Sequence, residues 1–170
     1  MPVDSDTFRA AMRRVAQPVT IVTVRDASGL HGMTASSFTS IALEPPLILI
    51  SVGESNATSS RLESVGTFAV NVLGAGQHAI GAAFARPGIE KSLAFEHLPH
   101  HFSATGSPIL DDCICWFDCT VYATHVAGSC VLFIGHVEAA GLGTEEVPLL
   151  YRNRAYEPHS PSGHGVSDTP

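Results

Sequence analysis

Alternation of apolar and polar positions, more than any helical period, organises this chain. Val19 to Arg25 and Leu30 to Ser40 are β-rich runs joined by Asp26-Ala27-Ser28-Gly29, with a glycine available for positive φ, and they read as a hairpin. Pro45-Pro46 forces an extended entry into Leu47 to Val52, a continuous apolar run that reads as a strand buried on both faces. Thr67 to Leu73 sets Phe68, Val70 and Val72 against Ala69, Asn71 and Leu73, so one face is fully apolar and Asn71 lies on the other, where it can orient backbone. Two long strands follow, Cys113 to Ala123 and Val131 to Ala139, turning around Ala127-Gly128-Ser129. Pro148 to Tyr156 is the last ordered-looking piece, a closing strand.

Helical spacing is confined to short stretches. Residues 7 to 16 place Phe8, Ala11, Met12 and Val15 on one face with Asp6 as N-cap, and that stripe reads as core. After Gly53 a strand end passes into a short helix with Asn56, Thr58, Ser59 or Ser60 as caps, and Ser60 with Glu63 fits the capping-box pattern. Gln77 to Ala85 sets Ile80 and Phe84 four apart and stops before Arg86-Pro87-Gly88. Residues 96 to 111 read as irregular. Strands outnumber helices and come as hairpins, which predicts a mainly β fold, a closed or split antiparallel barrel that hides its edges. Residues 1 to 156 form the folded domain; 157 to 170, rich in Pro, Ser, Gly and His, read as a disordered tail.

Composition narrows the classes of function. A chain of 170 residues, 45% hydrophobic and 15% charged, reads as one globular domain. Its net charge of −7 repels a phosphate backbone and argues against nucleic acid and anionic membranes as partners. No apolar run approaches a membrane span and the N-terminus lacks a signal-peptide core, so a cytoplasmic protein is expected. Cys113, Cys115 and Cys119 alternate as a strand would, sharing a face with Phe117, and read as buried, reduced thiols rather than metal ligands. His97-Leu98-Pro99-His100-His101 reads as surface loop.

Candidate chemistry concentrates between Gly32 and Pro46. Gly32 permits close backbone approach, and Thr34, Ser36, Ser37, Thr39 and Ser40 offer five uncharged hydroxyls to a planar, polar-edged ligand. A half-exposed strand edge is the alternative reading. The helix start at Asn56, Thr58 and Ser59 could receive a phosphate with Arg61 adding charge, or be a capped surface helix.

Six phrases occurring in one order carry a resemblance: Phe8-Arg9-Ala10-Ala11-Met12, Pro18 to Thr23, Gly32 to Pro46, Phe68 to Leu73, Phe84-Ala85 and Gly106-Ser107-Pro108. Together they resemble the short flavin reductase-like family, the reductase components of two-component flavin monooxygenases. The resemblance implies an FMN-binding split β-barrel of antiparallel, Greek-key type, a homodimer with flavin near the subunit interface, NADH or NADPH as co-substrate, and a partner monooxygenase. It places the isoalloxazine of FMN or FAD against Thr34, Ala35, Ser36 and Ser37, with Met33, Ser51 and Val52 nearby. The flavin phosphate then falls to Asn56, Thr58, Ser59, Arg86 and Lys91, with Phe84 and Phe95 as neighbouring aromatics. The adenosine half leaves no motif, so FMN against FAD stays open, and the Rossmann glycine fingerprint is absent.

One phrase departs from the family pattern. Where relatives carry Gly-Asp-His, whose imidazole contacts nicotinamide, this chain has Gly128-Ser129-Cys130. Three explanations compete: His125, His136 or Tyr156 holds the nicotinamide instead; the flavin receives electrons from another source; or the chain binds flavin without turnover. Hydride transfer needs donor carbon and flavin aligned, not a catalytic acid, so the loss need not abolish chemistry.

Overall fold

The computed structural model describes residues 2–86 and 91–158, the side chains of Lys91 and Pro158 excepted. The expected Pro87-Gly88 turn, the Lys91 side chain and residues 159–170 of the expected tail lie outside the described residues, whereas Glu157 and Pro158, expected in that tail, end the last strand. Helices are α1 (Ser5–Met12), α2 (Ala57–Val65), α3 (His78–Ala85) and α4 (Lys91–Phe95), with a single 3-10 turn at Ala75–Gln77. Strands are β1 (Gln17–Pro18), β2 (Thr20–Asp26), β3 (Gly29–Ala35), β4 (Phe38–Ala42), β5 (Leu47–Gly53), β6 (Thr67–Val72), β7 (His100–Phe102), β8 (Pro108–Leu110), β9 (Cys115–Ala127), β10 (Cys130–Leu142), β11 (Leu149–Arg152) and β12 (Ala155–Pro158). No helix among the described residues is long and apolar enough to cross a membrane.

Seven strands form the main sheet in the order β3-β2-β6-β9-β10-β5-β4, every pair antiparallel. Its two outermost strands, β3 and β4, are consecutive in sequence and separated only by Ser36 and Ser37. Flat, seven strands would set them roughly 29 Å apart, whereas the connection from Ala35 to Phe38 spans about 11 Å at most. The sheet is therefore curled into a barrel, and the junction of β3 with β4 is its split. Ser37 extends the β4–β5 ladder by one position beside that split: its Oγ donates to the Ser51 carbonyl at 2.7 Å and accepts from the Ser51 amide at 3.1 Å, standing in for a missing backbone rung.

The barrel interior is filled from alternate positions of β2, β5, β6 and β10, with Val22, Val24, Ile48, Ile50, Phe68, Val70, Val131 and Phe133 all buried. A second apolar cluster packs α3 and α4 onto the outside of β2 and β3 through Val19, Ile21, Leu73, Phe84, Phe95, Leu110 and Leu149. Gly32 is a point of close approach between β3 and α3: a Cβ there would lie 2.8 Å from Phe84 Cε1 and 3.0 Å from Cδ1. Gly32→Ala is expected to cost about 1–3 kcal/mol by overpacking, read as a lower urea midpoint with unchanged slope.

Several expectations need correction. Helix α1 begins at Ser5, not Thr7, because Asp4 rather than Asp6 caps it, accepting from the amides of Asp6 and Thr7 at 2.9 Å each. The expected apolar stripe is not core: Phe8 and Met12 on α1, and Val15 just beyond it, are 56%, 41% and 49% exposed. The hairpin run expected to reach Ser40 breaks at Ser36, and residues 38–42 form a separate strand on the far edge. Pro45 and Pro46 sit in a turn containing a cis Glu44–Pro45 bond, and β5 buries one face fully but the other only half. The capping box of Ser60 and Glu63 does not form, because Asn56 is the cap and Ser60 donates to the Ala57 carbonyl. Residues 96–111 include the two-stranded β7–β8 pair, so His100 and His101 are strand residues. Cys113 precedes β9, which starts at Cys115. Pro148 to Tyr156 is no single strand, for Asn153 and Arg154 adopt positive φ and fold it into the β11–β12 hairpin.

Candidate functional site

β3 is an edge strand, and its last residues come to the surface where the barrel splits. There Thr34, Ala35 and Ser36 meet the end of α3 at Ala85, Val19 entering β2, and the paired rings of Tyr151 and Tyr156. These residues line a groove of about 230 Å³. It continues past Ser36 and Tyr151 into a second groove of about 330 Å³ between α1 and the β11–β12 turn, lined among others by Phe8, Met12, Arg13 and Arg154. Jointly the two reach the size of a small-molecule site, about 300–1,000 Å³. A larger concavity of about 730 Å³ lies elsewhere, around Arg25, Ser28, Ser64 and Thr105, and contains none of the expected flavin residues.

The hydroxyls divide their work. Thr34 Oγ1 donates to the Gly81 carbonyl at 2.6 Å and ties β3 to α3, so its lone pairs alone face a ligand. Ser37 is committed to Ser51 on β5. Ser36 forms no hydrogen bond through its hydroxyl among the described residues and lines both grooves. Tyr151 and Tyr156 face each other across β11 and β12 with ring centroids 5.3 Å apart, offering aromatic surface opposite β3. Burial, with Tyr151 adding to it, pushes the Tyr156 phenol up, so it stays a hydrogen-bond donor at neutral pH.

Other expected residues stand away from this groove. Met33 packs against the barrel core, where Val52 is fully buried, and Ser51 is half-buried beside Ser37. Phe84 and Phe95 lie behind the groove wall, packed edge to face at 5.3 Å in the second cluster. Arg86 caps α3 at the surface just past Ala85. At the start of α2, the Asn56 side chain takes the Thr58 amide at 2.9 Å; Thr58 and Ser59 are buried, and Thr58 Oγ1 contacts His31 Nε2 at 3.0 Å. Arg61 is turned to the β2–β3 turn, where it pairs with Asp26 and donates to Ser28 Oγ at 2.7 Å. Hydrogen bonds from Ser28, with Arg61 beside it, hold the Asp26 carboxyl below its usual range.

The four residues considered for a nicotinamide do not converge within one chain. Cys130 opposes Gly53 and Ala127 at one end of β10, whereas His136 opposes Leu47 six residues further along, roughly 20 Å away. His136 Nδ1 meets Glu138 Oε1 at 2.9 Å, and Thr120 donates to the same oxygen at 2.6 Å, which holds the Glu138 carboxyl down. His125 is exposed on β9, and Tyr156 alone lines the groove with Thr34 to Ser36. Burial raises the Cys113 thiol to about 12 and raises those of Cys115 and Cys119. All four cysteines are unpaired thiols. No cluster that could hold a metal ion occurs among the described residues.

Sequence reasoning missed Ala85, Tyr151 and the arginines of the second groove. The available signal was Arg152-Asn153-Arg154-Ala155, where an asparagine suits the first positive-φ position of a two-residue hairpin turn. Recognising that turn would have set Tyr151 opposite Tyr156.

Comparison with known proteins adds three findings. Residues 12–160 match the family model described as flavin reductase like domain. The chain is 33% identical over 157 residues to the actinorhodin polyketide dimerase of Streptomyces coelicolor, covering 92% of this chain and 87% of that protein. Among solved structures, BorF, the flavin reductase component of a bacterial two-component tryptophan halogenase, superposes with TM-score 0.85 at 32% identity over 91% of this chain and 98% of that one. The NADH:FAD oxidoreductase SgcE6 of Streptomyces globisporus C-1027, in complex with NAD and FAD fragments, gives 0.86 at 29% identity over 96% and 99%.

Proposed function

The chain belongs to the flavin reductase-like domain family, and from that premise we propose that it is an NAD(P)H:flavin oxidoreductase supplying reduced flavin to a partner monooxygenase. The observation that carries the reading is the groove at the barrel split, where the hydroxyl-bearing end of β3 faces two tyrosine rings. Flat apolar walls with hydroxyls and strand-end backbone at their margin suit an isoalloxazine, whose faces are apolar and whose edge is polar. Flavin, when bound, supplies acceptance of a hydride and its onward release. The protein's own contribution is position: Ser36 and the end of β3 hold the polar edge, Tyr156 and Val19 exclude water, and Thr34 locks β3 to α3 so that the groove keeps its width. Arg86, immediately beyond the groove, and Lys91 are within the stretch assigned to the flavin phosphate. Leu43 and Leu142, 85% and 91% exposed, supply apolar surface for a second copy in a homodimer.

The test is absorbance of NADH and NADPH mixed with the protein and FMN or FAD. Oxidation of at least one dinucleotide well above the flavin-only rate is expected. Tight flavin binding with no such oxidation overturns the reductase assignment.

A second reading has specific support. Gly128-Ser129-Cys130 lacks the imidazole of the family phrase, and one relative of similar length is a polyketide dimerase. Under it the same groove holds flavin, electrons come from a source other than NAD(P)H, and the chain is a flavin-dependent oxidoreductase on another substrate.

A further inference from the structure

Helix α3 carries a glycine that lines neither groove and yet meets the walls of the first. Gly81 is buried in the middle of α3. Its carbonyl accepts the Thr34 hydroxyl at 2.6 Å, which fixes the end of β3. Its bare Cα lies beside the Tyr156 ring and Val19: a Cβ there would stand 3.4 Å and 3.5 Å from Tyr156 Cε1 and Cζ and 3.3 Å from Val19 Cγ1. Thr34, Val19 and Tyr156 all line the groove at the barrel split, and they come from β3, from the entry to β2 and from β12. One residue of α3 is therefore the common reference for the hydroxyl-bearing strand end and for the tyrosine opposite it.

The two contacts respond differently to a side chain at 81. The Thr34 bond goes to the main chain, so a substitution that leaves α3 helical leaves the β3 wall in place. Tyr156 instead meets the position where the side chain would be. A methyl group fits, because it reaches the ring at ordinary van der Waals distance and asks only a few tenths of an ångström of Val19. The next carbon, about 1.5 Å further out, would overlap the Tyr156 ring or Val19 and has to displace one of them. Tyr156 packs on Tyr151 with 5.3 Å between ring centroids, and Tyr151 belongs to the same hairpin and the same groove lining. A displaced Tyr156 therefore changes the groove whichever way it turns. What residue 81 controls is the separation of the two walls.

We propose that Gly81 is a positioning residue of the groove: without touching the ligand it sets the distance from β3 to Tyr156, and it admits nothing larger than a methyl before a ring held between those walls is lost. That this ring is a flavin rests on the reading above; the control of the tyrosine wall by residue 81 does not. The requirement is a limit on size rather than a demand for glycine, since alanine suits a helix interior better.

Two measurements on the full chain test this. Fluorescence titration reads FMN affinity, and nitration by tetranitromethane, followed by peptide mass, reads the seat of Tyr156 without any ligand. Tyr122, exposed on β9, is the internal reference for nitration. Gly81→Ala is expected to leave FMN affinity within about twofold and the Tyr156-to-Tyr122 nitration ratio unchanged. Gly81→Val is expected to weaken FMN about tenfold or more and to raise that ratio, because burial lifts the Tyr156 phenol in its seat and a displaced phenol ionises and reacts more readily. In a Tyr156→Ala background, valine at 81 should cause no further loss of FMN affinity. Unchanged affinity and nitration in Gly81→Val overturn the proposal, and so does a loss that persists in the Tyr156→Ala background, which would trace the effect to a weakened α3. Should Gly81→Val not fold, Gly81→Ser, one atom larger than alanine, takes its place with smaller changes expected in the same direction. Failure of the unmodified chain to bind FMN would reject the flavin reading, while the nitration ratio still decides the role of Gly81.

Discussion

Replacing Asn71 by leucine is expected to lower the unfolding free energy by about 3 kcal/mol or more, and the melting temperature by roughly 6–12 °C for a domain of this size. Asn71 is fully buried on β6, on the face turned away from the barrel interior. Its Oδ1 accepts from the Leu110 amide at 2.8 Å, and its Nδ2 donates to the Ile21 carbonyl and to Thr23 Oγ1, both at 3.2 Å. Thr23 Oγ1 in turn donates to the Pro108 carbonyl at 2.6 Å. One amide thereby stitches β6, β2 and β8 in a place where water cannot enter. Leucine matches its volume but orphans a buried amide and removes a donor from two acceptors, and a buried unmade hydrogen bond costs more than a made one contributes. Thermal unfolding of the variant checks this, and a fall of only a degree or two would show that the loop before β9 is held by packing alone. Flavin affinity should change little, because the network lies away from the groove at the barrel split.

Asn71 also shows where the sequence speaks clearly. A polar residue alternating with apolar ones on a strand has to satisfy its amide locally, and that reasoning needs only period two and burial. The β-rich runs located the main-sheet strands except that β3 and β4 were read as one, and a glycine at 29 located the first turn. What period two does not carry is which strand neighbours which. The break at Ser36-Ser37 is invisible in composition, because serines continue the β-rich run. It becomes legible only from the sheet order, since it joins the two outermost strands. The apolar stripe of α1 has a helical period identical to that of a core helix, and nothing local reveals that it faces a groove. Cation clustering was equally hidden: Arg9 and Arg13 stand about 140 residues from Arg152 and Arg154 in sequence, and they are united through the β1–β11 pairing and the hydrogen bond between Asn153 and Arg13. The hydroxyl-rich phrase was read as one binding segment, and the structure gives its members different partners. Thr34 ties β3 to α3, Ser37 is bound to β5, and Ser36 is left facing the grooves.

Ala85→Trp is expected to reduce FMN affinity about 100-fold, equivalent to about 2.7 kcal/mol, while leaving the fold intact. Ala85 is the last residue of α3, exposed, and part of the lining opposite Thr34, Ala35 and Ser36. An indole there projects into a groove of about 230 Å³ and takes the volume a planar ring would occupy. Because the position is solvent-exposed and no buried contact is lost, the unfolding free energy should stay within about 0.5 kcal/mol of the unmodified chain. If the groove positions flavin as proposed, contributing no reacting group of its own, reductase turnover at sub-saturating flavin should fall in step with affinity. Ser64→Trp supplies the matched control, placing the same ring in the larger concavity around Arg25 and Thr105. Fluorescence titration with FMN on both variants reads the outcome. Loss at Ala85→Trp with unchanged binding at Ser64→Trp locates flavin at the barrel split; the reverse pattern would move the cofactor to the opposite end of the β2–β3 hairpin and detach it from the hydroxyl-rich segment altogether.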